Sequence, residues 1–112
     1  MAKKVIRTYS RVTRHAAALL GKQIRIARKE RKITEKELAE RAGVSRGLIQ
    51  RIEKGNLKCQ IGTVFEVATL VGIKLFDADE SSLTAMIRQA DDRIALLPKH
   101  IYPGKKVMDD DF

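Results

Sequence analysis

The sequence predicts an all-α chain of five helices, and three observations carry that expectation. Apolar residues make up 44% of the 112 positions while aromatics make up 4% and Trp is absent, so the core must be aliphatic. Apolar residues recur at intervals of three and four through most of the chain, the spacing of one helix face. Thr34, Ser45, Gly43 and Gly72 stand where helices should start and stop. At 12.6 kDa the chain is one small domain, or a domain with a tail, which excludes a multidomain enzyme.

The first helix is expected over about residues 13–31, where Leu20, Ile24, Ala27 and Arg28 share helical spacing beside a cationic face of Lys22, Arg25, Lys29 and Lys32. Thr34 opens T-E-K-E, a capping box in which its hydroxyl accepts from the Glu37 amide and the Glu37 carboxylate accepts from the Thr34 amide. The second helix therefore runs from there to Arg41 or Ala42. Gly43 suits the left-handed residue that ends a helix, and Ser45 is a favoured N-cap for a third helix ending at Lys54-Gly55-Asn56.

A fourth helix is expected from Ile61 to Leu70 or Val71, with Ile61, Val64, Phe65, Val67 and Ala68 inward and Gly72 ending it. Ile73, Lys74, Leu75 and Phe76 are β-like in composition and predict a short strand. Such a strand needs a partner for its backbone groups, either Val5–Tyr9 or its own copy across a dimer two-fold axis. A fifth helix over 79–97 carries Leu83, Met86 or Ile87, Ala90, Ile94 and Leu97 at near-heptad spacing, a stripe for its own domain or for a dimer contact. Pro98 ends it. The layout is then a basic arm (1–12), a helical domain (13–78), an amphipathic helix (79–97) and an extended tail (98–112).

Charge is distributed unevenly along this layout. The net charge is +9, with 11 Lys/Arg and one acid in residues 1–32, 7 and 5 in 33–76, and 5 and 8 in 77–112. A cationic end points to a polyanionic partner, nucleic acid or an anionic membrane surface, through Lys3, Lys4, Arg7, Arg11 and Arg14 among others. A single Cys excludes an intrachain disulfide, and the first fifteen residues hold no apolar stretch of signal-peptide length. A cytoplasmic protein is the expectation.

The stretch TEKELAERAGVSRGLIQRIEKG, residues 34–55, has the helix-turn-helix layout. Leu38 and Ala39 bury the second helix, Val44 plugs the turn, and Ile49 and Ile52 bury one side of the third. The other side then projects Arg46, Gly47, Gln50, Arg51 and Lys54. A helix offering Arg and Gln suits the DNA major groove, where Arg pairs bidentately with guanine and Gln with adenine.

From Leu20 to Leu75 the chain resembles the Xre family of phage-repressor-like helix-turn-helix proteins, matching I-R-I-A-R, T-x-x-E-L-A, A-G-V-S, I-x-R-I-E-K-G and V-A-x-L-V-G-I in order. The resemblance implies a bundle of about five helices and a homodimer on a palindromic operator in double-stranded DNA. It implies base readout by Arg46, Gly47, Gln50 and Arg51, and phosphate contacts from Thr34, Ser45, Lys54 and Lys58. It also implies an internal ion pair between Arg28 and Glu53. Two positions depart from the family: Glu35 stands where Gln is common, a carboxylate that repels phosphate unless a cation such as Arg46 pairs with it, and Gly47 brings no side chain to the recognition helix.

Beyond that core, the Tyr9-Ser10 entry and the segment ending Phe76-Asp77-Ala78 are similar to HipB-type antitoxins. That likeness implies a strand (Ile73, Lys74, Leu75, Phe76) completing an intersubunit sheet, repression of the chain's own operon, and a HipA-type kinase toxin as partner. The alternative is a stand-alone Xre regulator. Val107, Met108, Asp109, Asp110, Asp111 and Phe112 combine apolar and acidic residues suited either to docking on a basic partner or to a solvated tail.

Enzymatic readings find little in the sequence. His15 and His100 are isolated, Cys59 reads as a small half-buried residue, and one Cys makes no thiolate zinc site. Gly21-Lys22 and Gly104-Lys105 lack the remainder of a phosphate-binding loop, and the Asp109–Asp111 run lacks the Gly and Glu of a calcium loop. Neither a cofactor, a metal, a small-molecule substrate nor a membrane is expected.

Overall fold

The structure, a computed structural model, describes residues 8–104. The expected roles of Lys3, Lys4 and Arg7, the Val5–Arg7 part of the alternative strand, and the tail residues Val107 to Phe112 lie outside the described residues. Those described form α1 (Arg11–Glu30), α2 (Glu35–Ala42), α3 (Arg46–Glu53), α4 (Ile61–Leu70) and α5 (Glu80–Leu96), with a 3-10 turn at Leu75–Asp77. The chain divides into two units, one ending at Asp77 and one beginning at Ala78.

Three helices of the first unit, α1, α2 and α3, begin on a side-chain cap, whereas α4, with Gln60 at its N-cap position, begins without one. The Ser10 hydroxyl caps α1 by accepting from the Thr13 amide at 3.2 Å. Thr34 and Glu37 form the reciprocal capping box, at 3.0 Å from the Glu37 amide to the Thr34 hydroxyl and 2.8 Å from the Thr34 amide to the Glu37 carboxylate. Gly43, at φ 71°, supplies the left-handed residue after α2, and Ser45 caps α3 through the Leu48 amide at 3.1 Å.

The core draws on every helix of this unit: Ile24 of α1, Leu38 and Ala39 of α2, Ile49 and Ile52 of α3, and Val67 and Ala68 of α4, with Ile33 and Val71 closing it. Burying each large aliphatic side chain contributes about 1.5–3 kcal/mol. α2 packs on α3 and α4, while α1 packs on α3. The α1–α3 crossing is close because Gly21 has no side chain: a Cβ there would lie 2.6 Å from the Ile52 and Glu53 carbonyl oxygens.

Two expectations are corrected. No strand occurs among the described residues: Ile73, Lys74, Leu75 and Phe76 run into the 3-10 turn, in which Phe76 and Asp77 both have φ of 56°. A left-handed backbone cannot continue a β-ladder. The apolar side chains of Ile73 and Leu75 instead pack on the core, and the Phe76 ring meets Phe65 edge to face with centroids 6.4 Å apart. Ile61, expected inward, is 69% exposed at the first position of α4.

In the second unit, Asp79 caps α5 by accepting from the Ser82 amide at 2.8 Å. Leu97, extended ahead of Pro98, ends it. No residue of α5 is buried. No helix among the described residues is long and apolar enough to cross a membrane.

Candidate nucleic-acid interface

The turn between α2 and α3 positions one helix face, and the reason is amphipathic spacing. Ile49 and Ile52 are buried, which fixes the rotation of α3 and turns Arg46 and Arg51 outward to solvent with Gln50 half-buried between them. Ser45 is exposed at the N-terminus of α3 and Lys54 is exposed at its C-terminal end. Thr34, at the start of α2, and Lys58, in the α3–α4 connection, are also exposed. Thr34, Ser45, Arg46, Arg51, Lys54 and Lys58 thus all lie on the surface of this unit.

Gly47 lies in the first turn of α3, where an added Cβ would meet only Arg51 Nη1 at 3.6 Å and Ser45 Oγ at 3.9 Å. Helix geometry does not require glycine there, so its effect is to lower the surface between Arg46 and Arg51. Beside it, a concavity of about 320 Å³ is lined by Leu48, Arg51, Asn56, Lys58, Cys59, Gln60 and Thr63, bringing Lys58 next to Arg51. Cys59 is half-buried in its wall. A smaller one of about 180 Å³ on another side of α3 joins Arg25 of α1 to Glu35, Gln50, Glu53 and Lys54.

Behind this face lies a polar network that begins in the core. Arg28 and Glu53 form a bidentate pair, Nε donating to Oε2 at 2.7 Å and Nη2 to Oε1 at 3.1 Å, while Nη1 donates to the Ile33 carbonyl at 2.9 Å. Both side chains are more than nine-tenths buried. The Glu53 hydrogen bond raises the Arg28 guanidinium above its ordinary pKa, against the opposing effect of burial. Among the described residues, no buried side-chain polar atom is left without a partner.

Glu35 extends the network to the surface. Its Oε1 accepts from Gln50 Nε2 at 3.1 Å and from Arg46 Nε at 3.3 Å, and its Oε2 lies 4.0 Å from Arg28 Nη2. The Gln50 hydrogen bond, ahead of the Arg46 and Arg28 charges, holds the Glu35 carboxyl below its usual range despite partial desolvation. One carboxylate therefore fixes two of the side chains on the outer face of α3, Arg46 and Gln50. The family pattern marks Glu35 as a charge that repels phosphate unless a cation such as Arg46 pairs with it, and that pair is present; the Gln50 contact and the neighbours Arg25, Asn56, Gln60 and Thr63 of α3 are additions of the structure. Arg25 was legible as part of the cationic face of the first helix; the other three carry no sequence signal of their own.

The Helix-turn-helix family model matches residues 24–77, which span the described α2–α3 pair and its surroundings. The chain is 38% identical over 56 residues to the immunity repressor protein of Bacillus phage phi105, a match covering 50% of this chain and 39% of that repressor. The match thus spans well under half of that relative's length. Among solved structures, the clp gene regulator ClgR from Corynebacterium glutamicum is similar at 25% identity and a TM-score of 0.49, over 71% of this chain and 85% of that one.

Proposed function

We propose that residues 24–77, which match the Helix-turn-helix family model, form an Xre-like DNA-binding domain, and that the chain is a sequence-specific repressor of transcription that binds a palindromic operator as a homodimer. The observation that carries the reading is the outer face of α3, where Arg46, Gln50 and Arg51 stand opposite the buried Ile49 and Ile52. In this reading α3 enters the major groove, Arg46, Gln50 and Arg51 meet base edges, and Gly47 lets the backbone approach. Thr34, Ser45, Lys54 and Lys58 meet phosphates on either side, with Arg25 adding charge. The repressor named above supports the regulatory role.

Fluorescence anisotropy with fragments from the chain's own upstream region, against random DNA of the same length, tests this. Arg51→Ala should lose about 1–3 kcal/mol on the preferred fragment and little on random DNA. Equal losses on both would reassign Arg51 to phosphate contact, and equal affinity of the wild type for both fragments would remove the proposal.

The narrower reading is an antitoxin that also holds a HipA-type kinase toxin, with Val107, Met108, Asp109, Asp110, Asp111 and Phe112 on the partner. It is supported by the Tyr9-Ser10 and Phe76-Asp77-Ala78 likeness and by the composition of the tail. The intersubunit strand that belonged to it is withdrawn, because Leu75–Asp77 is a 3-10 turn. A pull-down of the tagged chain with nuclease treatment tests it: a stoichiometric kinase supports the antitoxin, and DNA without a protein partner supports the stand-alone regulator.

A further inference from the structure

We propose that α1 carries a second DNA contact, a row of cations that grips phosphates flanking the site read by α3; this rests on the reading of α3 as the recognition helix. Arg11, Arg14, Lys22, Arg25 and Lys29 follow one another at steps of three, eight, three and four, so they stand on one face of the 20-residue helix. All five are exposed, and among the described residues none of them forms an ion pair. Glu30, at the last position, is the one acid of α1, and its remaining cation, Arg28, is turned inward on Glu53. Local stability does not favour this arrangement. Lys22, Arg25 and Lys29 are like charges one turn apart, and Arg11 and Arg14 stand at the N-terminal end, where the helix dipole prefers acids. A polyanion laid along the face relieves both.

The identity of the polyanion follows from what adjoins the row. Arg25 shares the concavity of about 180 Å³ with Gln50 and Lys54 of α3, so the row is continuous with the face assigned to the major groove. α1 crosses α3 at Gly21 and is more than twice its length, so the row leads away from α3 along a rigid line. Lys22 to Lys29 covers about 10 Å of helix and the whole row about 27 Å, against about 3.4 Å per base pair of DNA. The row therefore outreaches the few base pairs that the eight residues of α3 can touch. Its contacts are to phosphates and add affinity without sequence preference. An anionic membrane fits less well, because it calls for an apolar face beside the cations. The exposed apolar residues beside this row, Val12, Leu19 and Ile26, stand two turns apart with Gln23 and Glu30 interrupting them.

Anisotropy titrations of the full-length chain test this on two duplexes, one ending at the edge of its preferred motif and one extended on both sides by random sequence, about ten base pairs or one helical turn. The wild type should bind the extended duplex at least about tenfold more tightly at low salt, and Lys22→Gln/Arg25→Gln/Lys29→Gln should lose most of that gain while preferring the same motif. On the extended duplex the variant's slope of log affinity against log salt should be shallower by about 2.7 per bound chain, three phosphates at about 0.9 each. Its thermal unfolding midpoint should not fall, since none of the three side chains is buried. A charge-matched Lys74→Gln/Arg88→Gln/Arg93→Gln chain should behave as the wild type. The salt slope is also read on random DNA, so a chain that selects no motif would remove the recognition reading of α3 while the slope still decides the role of α1. Equal affinity of the wild type for both duplexes, an unchanged slope in the α1 variant, the same loss in the charge-matched control, or an α1 variant that loses binding to phosphatidylserine vesicles but not to DNA would each overturn the proposal.

Discussion

Arg28 and Glu53 show how a single pair of side chains can decide whether the first unit folds. Each is buried, each satisfies the other twice, and Arg28 also satisfies the Ile33 carbonyl at the end of the α1–α2 connection. Removing one charge strands the other, so Arg28→Met should destabilise by about 3–5 kcal/mol in urea unfolding. Arg28→Met/Glu53→Leu should recover most of that loss and retain about 1 kcal/mol, the cost of the orphaned Ile33 carbonyl. A double variant as unstable as the single one would mean that the pair is not what holds α1 to α3.

Glu35 and Glu37 make a separate, pH-dependent contribution. Both carboxyls lie below their ordinary range, Glu35 through Gln50 and Arg46, Glu37 through the Thr34 amide and hydroxyl. A carboxyl lowered on folding stabilises fully above its unfolded value, about 4.3, and that stabilisation is lost as pH falls from there through the lowered native value. Denaturation midpoints measured from pH 7 to pH 2.5 should be level down to about pH 5 and then fall. Glu35→Gln should flatten part of that fall. On DNA, the same substitution should raise affinity for random sequence by removing a negative charge and reduce discrimination by releasing Arg46 and Gln50.

At the scale of elements, two glycines inside helices have opposite reasons. Gly21 is required by packing, because α3 carbonyl oxygens occupy the space of its missing Cβ. Gly21→Ala should therefore cost about 1–3 kcal/mol by forcing α1 from α3. Gly47 is not required by packing, and Gly47→Ala should raise stability by up to about 1 kcal/mol while weakening DNA binding. Thermal unfolding and anisotropy on the two variants separate these roles; a destabilised Gly47→Ala would show that its backbone, not its surface, needs glycine.

The helices were legible in the sequence because their signals are local: Thr34 with Glu37, Gly43 and Ser45 mark their own turn. The Gly21 contact was not, since it exists only once α3 crosses α1. Ile73–Phe76 misled because a four-residue apolar run fits a strand and a turn packed on a core equally well, and the positive φ at Phe76 and Asp77 has no glycine to announce it. For the site, Arg46, Gln50 and Arg51 followed from the spacing of Ile49 and Ile52. The pairing of Arg28 with Glu53 came only through family likeness, and the grip of Glu35 on Gln50 needs three dimensions.

For the whole molecule, charge and architecture bear on the same proposal. The excess of cations in residues 1–32 and the exposed Arg25, Arg51, Lys54 and Lys58 imply that binding falls steeply and linearly on a log–log salt plot as phosphate counterions are released. That term supplies affinity for any DNA and does not by itself distinguish a repressor from a basic protein. Discrimination must come from α3, so the central claim is tested most directly by selecting bound sequences from a random DNA pool, in parallel for the wild type, Arg46→Ala and Arg51→Ala. The wild type should enrich a single palindromic motif, and each variant should relax the preference at symmetric positions within it. No enrichment by the folded wild type, or the same motif enriched unchanged by both variants, would contradict the account.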